Sequence, residues 1–146
     1  MVASGTGISA FLGFLEHRRA QGIKIQQQDG APFRLFYGTR YHDTAALRAI
    51  VYDYVDDGTV VVEAAYSEDG GPRRFAQQIL LRDALMIWSD LSNNGRVYVC
   101  GSATRVGEGV RKTLMRIAEQ VGGVADSVEW LAGLRKEGRY SEDVFG

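Results

Sequence analysis

Three stretches of this 146-residue chain carry residue types suited to chemistry. The first is Arg96-Val97-Tyr98-Val99-Cys100-Gly101-Ser102-Ala103. A β-branched and aromatic run, read as a buried strand, delivers the one cysteine of the chain to a glycine. After Thr104 the apolar spacing turns helical, through Val106, Val110, Leu114, Ile117 and Val121. A thiol at a strand end and a helix entrance lies where open α/β sheets bind ligands. It also reads as a small buried hydrophobe, the ordinary fate of a lone intracellular cysteine. The second stretch is Ser4-Gly5-Thr6-Gly7, a tight turn between the short strand Met1-Val2-Ala3 and a helical stripe of Ile8, Phe11, Leu12 and Leu15. Glycines let the backbone approach a phosphate, a helix N-terminus offers free N–H groups, and Thr6 adds a hydroxyl donor. Many glycine turns bind nothing, so this turn alone does not decide the matter.

A third segment, Tyr66-Ser67-Glu68-Asp69-Gly70-Gly71-Pro72-Arg73-Arg74-Phe75, offers a hydroxyl, two guanidinium groups and a ring. Serine with arginine suits a phosphate monoester, and a ring suits an adenine face. An ordinary solvated loop has the same composition. His42 has no second ligand-type residue at metal spacing, so it reads as a loop histidine and no metal site is expected.

These segments need elements to position them. Strands are expected at 1–3, 33–37, 59–65, 96–100 and 139–145. Helices are expected from Ile8 to about Arg19, from Asp43 or Thr44 to about Tyr54, and over a bent region spanning 77–81 and 84–91. Two more are expected after Thr104 and from Asp126 to Lys136. Within them Leu85, Trp88, Val128, Leu131 and Leu134 are expected to face inward, and the polar residues 22–31 to form a surface loop. Alternation of strand and helix predicts an α/β fold. It is a doubly wound, five-stranded, mainly parallel sheet with helices on both faces. The loops at 4–7, 38–42, 66–77 and 100–105 all follow strands and therefore gather on one edge, which is the observation that favours a nucleotide site.

Composition narrows the field. The length and a 45% hydrophobic content fit one globular domain, residues 1–146. A net charge of −1 gives no global field for nucleic acid. A single cysteine excludes an internal disulfide and suits a reducing, cytoplasmic compartment. No apolar run reaches the roughly 20 residues of a membrane span, so no membrane contact is expected from this segment. A three-residue first strand is short, which suggests a piece of something longer.

Taken in order, the motifs resemble the C-terminal NADPH-binding domain of diflavin reductases. That group includes cytochrome P450 reductase, the sulfite reductase flavoprotein, the nitric oxide synthase reductase half and the P450–reductase fusions, all relatives of ferredoxin–NADP reductase. The resemblance rests on Gly5-Thr6-Gly7-Ile8 with Phe11 and Gly13-Phe14, then Phe36-Tyr37-Gly38-Thr39-Arg40, Ala65-Tyr66-Ser67 and Tyr98-Val99-Cys100-Gly101-Ser102. It closes on Arg139-Tyr140-Ser141-Glu142-Asp143-Val144-Phe145. It implies a Rossmann-like domain that positions NADPH for hydride transfer to FAD, with electrons passing on to FMN and a haem or P450 acceptor.

The resemblance also implies residue roles. Gly5, Thr6 and Gly7 would hold the pyrophosphate. Ser67, Arg73 and Phe75 would receive the 2′-phosphate and adenine, with Gln77 nearby. Cys100 would lie beside the nicotinamide and Asp143 would accompany it. Phe145 would shield the flavin. Arg40, Gly101 and Ser102 fall within matching motifs and join the cofactor-binding set. The FAD domain is expected on an adjacent N-terminal segment, so this chain alone is not expected to turn over. Three positions depart from the family pattern. Glu68 stands where arginine is common, and its carboxylate would repel a 2′-phosphate unless Arg73 and Arg74 compensate. Phe75 replaces tyrosine, and Phe145 replaces tryptophan. Phe75 thereby removes one hydroxyl donor, and Glu68 and Phe145 point to NADPH with some tolerance of NADH. The alternative is a non-catalytic nucleotide-binding or regulatory module of the same fold.

Overall fold

The computed structural model describes residues 1–23, 33–42, 48–70 and 74–146. Most of the expected surface loop at 22–31, the expected helix caps Asp43 and Thr44, and Arg73 lie outside the described residues.

Five strands form one all-parallel sheet in the order β3-β2-β1-β4-β5. They are β1 (Val2–Ser4), β2 (Arg34–Thr39), β3 (Val61–Tyr66), β4 (Val97–Ser102) and β5 (Tyr140–Phe145). Parallel neighbours need crossovers, and the helices supply them. These are α1 (Ser9–Ala20), α2 (Asp53–Asp56), α3 (Ala76–Arg82), α4 (Ala84–Ser92), α5 (Glu108–Gln120) and α6 (Ser127–Lys136). A single 3₁₀ turn, Gly5–Ile8, leads into α1, and π-helical turns at Arg48–Tyr52 and Ala103–Gly107 lead into α2 and α5. No helix among the described residues is long and apolar enough to cross a membrane.

The strand period divides the core into two layers. On one face Val2, Phe36, Ala65, Val97 and Val99 pack under Leu80, Ile87, Leu91, Val110, Leu114, Ile117, Leu131 and Leu134. On the other, Ala3, Leu35, Val60 and Cys100 pack under Ile8, Phe11, Leu15 and Val51. Adjacent residues such as Val2 and Ala3, or Val99 and Cys100, serve opposite layers, as alternation in a doubly covered strand requires.

Several expectations shift. Leu85 is 77% exposed and Val128 is 69% exposed, not inward-facing. A break at Asp83 (φ −98°, ψ 25°) restarts the helical phase, so α4 buries Ile87 and Leu91 and turns Leu85 outward. In α6 the buried stripe is Ser127, Leu131 and Leu134, with the spacing i, i+4, i+7, and Val128 falls off it. The third strand starts at Val61 because Thr59 is taken up before it. Its hydroxyl donates to Asp57 and its carbonyl accepts from Arg18 Nε at 3.1 Å.

Candidate functional site

The strand order changes direction at β1. The chain passes from β1 to β2 on one side, and β4 later joins the other side. Crossovers therefore diverge above the β1–β4 pair and leave a crevice at the carboxyl ends of the strands. A cleft of about 530 Å³ lies there.

Its walls come from four separate loops and the end of β5. Ser4, Gly5 and Thr6 end and follow β1. Gly38, Thr39, Arg40 and Tyr41 end and follow β2. Ser67, Arg74, Phe75 and Gln77 follow β3. Ser102, Arg105 and Val106 end and follow β4, and Phe145 closes β5. Gly5, Thr6, Arg40, Ser67, Arg74, Phe75, Gln77, Ser102 and Phe145 are thus brought together, while Gly7, Glu68, Gly101, Cys100 and Asp143 do not line the cleft. Tyr41 and Arg105 lie in the edge loops 38–42 and 100–105 but had no role assigned from the sequence. Only the strand-end position of Arg105, three residues past Ser102, hinted at it.

The floor of the cleft depends on two glycines. A Cβ on Gly7 would come within 2.4 Å of the Cys100 carbonyl oxygen. One on Gly101, whose φ is +148°, would come within 2.7 Å of Ser4 Oγ. The first turn and the end of β4 therefore touch closely, which no larger residue permits. Tyr37 donates its hydroxyl to the Gly5 carbonyl at 3.2 Å and fixes the turn from the β2 side. The turn runs straight into α1 and the Ser9 N–H that opens the helix donates back to the Thr6 and Gly7 carbonyls, so the N–H groups left over at the start of this helical run belong to the glycine turn itself.

The remaining wall is held by small ties. Arg74 N–H donates to the Tyr66 carbonyl at 3.1 Å, and Phe75 N–H donates to Gln78 Oε1 at 2.7 Å, which sets the entrance to α3. Gln77 Nε2 donates to the Arg105 carbonyl at 3.4 Å, and Ser102 Oγ accepts from Arg105 N–H at 3.4 Å. The guanidinium groups of Arg40, Arg74 and Arg105 make no ion pair among the described residues. Three such cations and a helix N-terminus make this edge suited to a polyanion.

Beside the cleft lies a second feature. Ala3, Cys100 and Asp143 stand in one row across β1, β4 and β5, with Cys100 opposite Asp143 and Ser102 opposite Phe145. Registered residues share a face, so Cys100 and Asp143 both look toward the α1 side of the sheet. Cys100 is buried, whereas Asp143 and Phe145 are exposed because α1 does not extend over β5. Tyr98 and Phe14 meet edge-on at 5.3 Å on that same face, and Phe14 stays 43% exposed. Phe145 belongs to both features, lining the cleft and bordering the open face.

Burial, and then the charge of Asp143, push the Cys100 thiol above its ordinary value. The thiol therefore stays protonated through the neutral range and is a poor nucleophile. Strand β5 is anchored from its other face. Glu142 accepts from Arg111 Nη1 at 2.6 Å, from Arg135 Nη2 at 3.2 Å and from the Tyr140 hydroxyl. Among the described residues no group of three or more His, Cys, Asp or Glu side chains is placed to hold a metal ion.

Comparison with known proteins follows the same lines. A family model described as the oxidoreductase NAD-binding domain matches residues 1–112. The NADPH–cytochrome P450 reductase of Drosophila melanogaster is 31% identical over 99% of the chain, which spans 22% of that protein. The bifunctional cytochrome P450/NADPH–P450 reductase of Bacillus cereus is 31% identical over 99% of the chain and is covered to 14%. The sulfite reductase (NADPH) flavoprotein alpha-component of Vibrio vulnificus is 30% identical over 99% of the chain and is covered to 23%. The chain spans less than a quarter of the length of these relatives.

Proposed function

The chain belongs to the oxidoreductase NAD-binding domain family, and on that premise we propose that it is the NADPH-binding part of a flavoprotein reductase. In this reading it holds the nucleotide in the cleft and presents the nicotinamide to a flavin seated against the open face of β4 and β5. The observation that carries the proposal is one continuous arrangement. The glycine turn, the Ser67–Arg74–Phe75 wall and Phe145 share one cleft, and Phe145 leads from it to the Cys100–Asp143 pair.

The residues present fit such a nucleotide. Gly5 and Thr6 line the cleft at the start of the helical run and offer backbone N–H groups and a hydroxyl to a pyrophosphate, while Gly7, lacking a Cβ, lets this turn seat against the β4 backbone. Ser67 and Arg74 offer a hydroxyl and a cation for a 2′-phosphate, and Phe75, 44% exposed, offers a ring face to adenine. The part Arg73 would take at this wall rests on the resemblance alone. NADPH supplies a hydride when bound, and FAD on a neighbouring domain is the acceptor in this reading.

The chain contributes position and electrostatics. Cys100 packs close without adding a charge, because its thiol stays neutral. Asp143 places a carboxylate where the nicotinamide turns cationic. Phe145 covers the open face until the nicotinamide displaces it. Passage of electrons onward to a P450 partner is proposed from two relatives named as P450 reductases, and FMN and haem as carriers rest on the family resemblance.

Calorimetric titration with NADP+ and a substitution test this reading. One site for NADP+ is expected on the chain. In a protein carrying this chain together with its flavin domain, Cys100→Ala is expected to slow flavin reduction by NADPH while leaving NADP+ affinity within about twofold. No binding in either setting, or unchanged reduction in the variant, contradicts the proposal.

A further inference from the structure

Glu68 is the residue that sits worst with a 2′-phosphate, yet it does not line the cleft. The backbone brings the loops after β2 and β3 together. Ser67 N–H donates to the Thr39 carbonyl at 3.0 Å, and Glu68 N–H donates to the Arg40 carbonyl at 2.7 Å. The rings of His42 and Tyr66 meet edge-on at 4.8 Å and brace the same two segments. This pairing sets Tyr41 across from Glu68, and the Tyr41 hydroxyl donates to Glu68 Oε2 at 3.0 Å. Tyr41 lines the cleft beside Ser67 and Arg74, whereas Glu68 does not.

We infer that Tyr41 is a specificity-determining residue: it ties the Glu68 carboxylate outside the cleft and so lets Ser67 and Arg74 read a 2′-phosphate. The inference rests on the nucleotide reading of this cleft and adds how the chain tolerates an acidic residue beside its anion site. The hydrogen bond to the carboxylate raises the Tyr41 pKa, so the hydroxyl remains a donor across the working range. Without that donor, Glu68 is a free carboxylate on the residue after Ser67. Swung inward, it would repel a phosphate monoester carrying between one and two negative charges and accept from a ribose 2′-hydroxyl instead. The single contact is exposed and weak by itself. Its effect is large only for a ligand with charge at that point.

The test is a double-mutant cycle on the chain as it stands. Wild type, Tyr41→Phe, Glu68→Gln and the double variant are each titrated with NADP+ and with NAD+. Tyr41→Phe is expected to lower the NADP+ to NAD+ affinity ratio by about tenfold, chiefly through NADP+, and the drop should shrink at high ionic strength. Glu68→Gln alone should change the ratio little, and in its background Tyr41→Phe should have no further effect. A ratio unmoved by Tyr41→Phe overturns the inference. So does a loss that persists in the Glu68→Gln background, because the tyrosine hydroxyl would then be acting on the nucleotide itself. Equal wild-type affinities remove the inference and leave nucleotide binding standing. Binding of neither nucleotide by the wild type removes both.

Discussion

The two ends of the sheet make an instructive pair. Each carries a cavity, about 530 Å³ at the carboxyl ends of the strands and about 370 Å³ at the amino ends. The lower cavity is lined by Phe36, Leu80, Ile87, Leu91 and Leu114, with Arg34 bound to Asp90 at 3.1 Å. Arg96 is the one lining arginine there without an ion pair among the described residues. The upper cavity has three such arginines and the glycine turn that opens the first helical run, a turn seated on β4 through Gly7 and Gly101 beneath it. In a parallel sheet the helices begin at the carboxyl ends and finish at the amino ends. Free N–H groups and positive potential therefore collect above, and free carbonyls below. Most partners for a phosphate lie at the upper end, although both ends offer space. Volume alone does not identify a site.

Substitutions can break this comparison, and the largest effect comes from glycine. A Cβ at Gly7 would lie 2.4 Å from the Cys100 carbonyl oxygen, and one at Gly95 would lie 2.4 Å from the Asp90 carbonyl oxygen. Gly7→Ala and Gly95→Ala are thus matched steric insults at opposite ends, each expected to cost about 1–3 kcal/mol of stability in denaturant melts. Only Gly7→Ala should also weaken NADP+ binding by the folded chain, by about a hundredfold on the scale of 1.4 kcal/mol per decade. Equal losses of affinity would mean the upper turn is not special.

Arginine sharpens the contrast at smaller scale. Arg74→Ala should lower NADP+ affinity about tenfold, the worth of one hydrogen bond to a charged group. Arg34→Ala should leave affinity unchanged in the same calorimetric assay and cost only about 0.2–1 kcal/mol of stability, as partly exposed ion pairs do.

The smallest effect concerns acid. Burial alone would raise the Glu142 carboxyl, but hydrogen bonds from Tyr140 and Arg111 and the charge of Arg135 outweigh it and hold the group below the usual carboxylate range. A depressed folded value means the stabilisation is complete above that range and is lost as pH falls through the folded value. Thermal melts across acidic pH should therefore show a shallower decline for Glu142→Gln than for wild type. An identical decline would mean that β5, and with it Asp143, is anchored some other way.

Most of the frame was legible because it rests on period and punctuation. The five strands, the helix carrying Val110, Leu114 and Ile117, and the gathering of post-strand loops on one edge follow from alternation and glycine turns. Leu85 and Val128 depart from the expected pattern because helical phase depends on where a helix restarts, and the break at Asp83 has no apolar signature. At the site, the conspicuous residues Thr6, Ser67, Arg74 and Phe145 do meet, since strand ends converge whatever the loops contain. Tyr41 was invisible because its importance lies in a contact across two loops with Glu68, and sequence distance gives no hint of that pairing. The placement of Cys100 against Asp143 was implied by resemblance, and its physical basis, the register of β4 on β5, exists only in the folded sheet.

Amide chemical-shift mapping with NADP+ tests the central claim most directly. The account predicts perturbation at Gly5, Thr6, Gly7, Ser67, Gln77 and Ser102, tapering toward Cys100 and Asp143, with Asn93, Asn94 and Gly95 at the lower cavity unmoved. Shifts concentrated at those three lower residues, with the glycine turn silent, would contradict it.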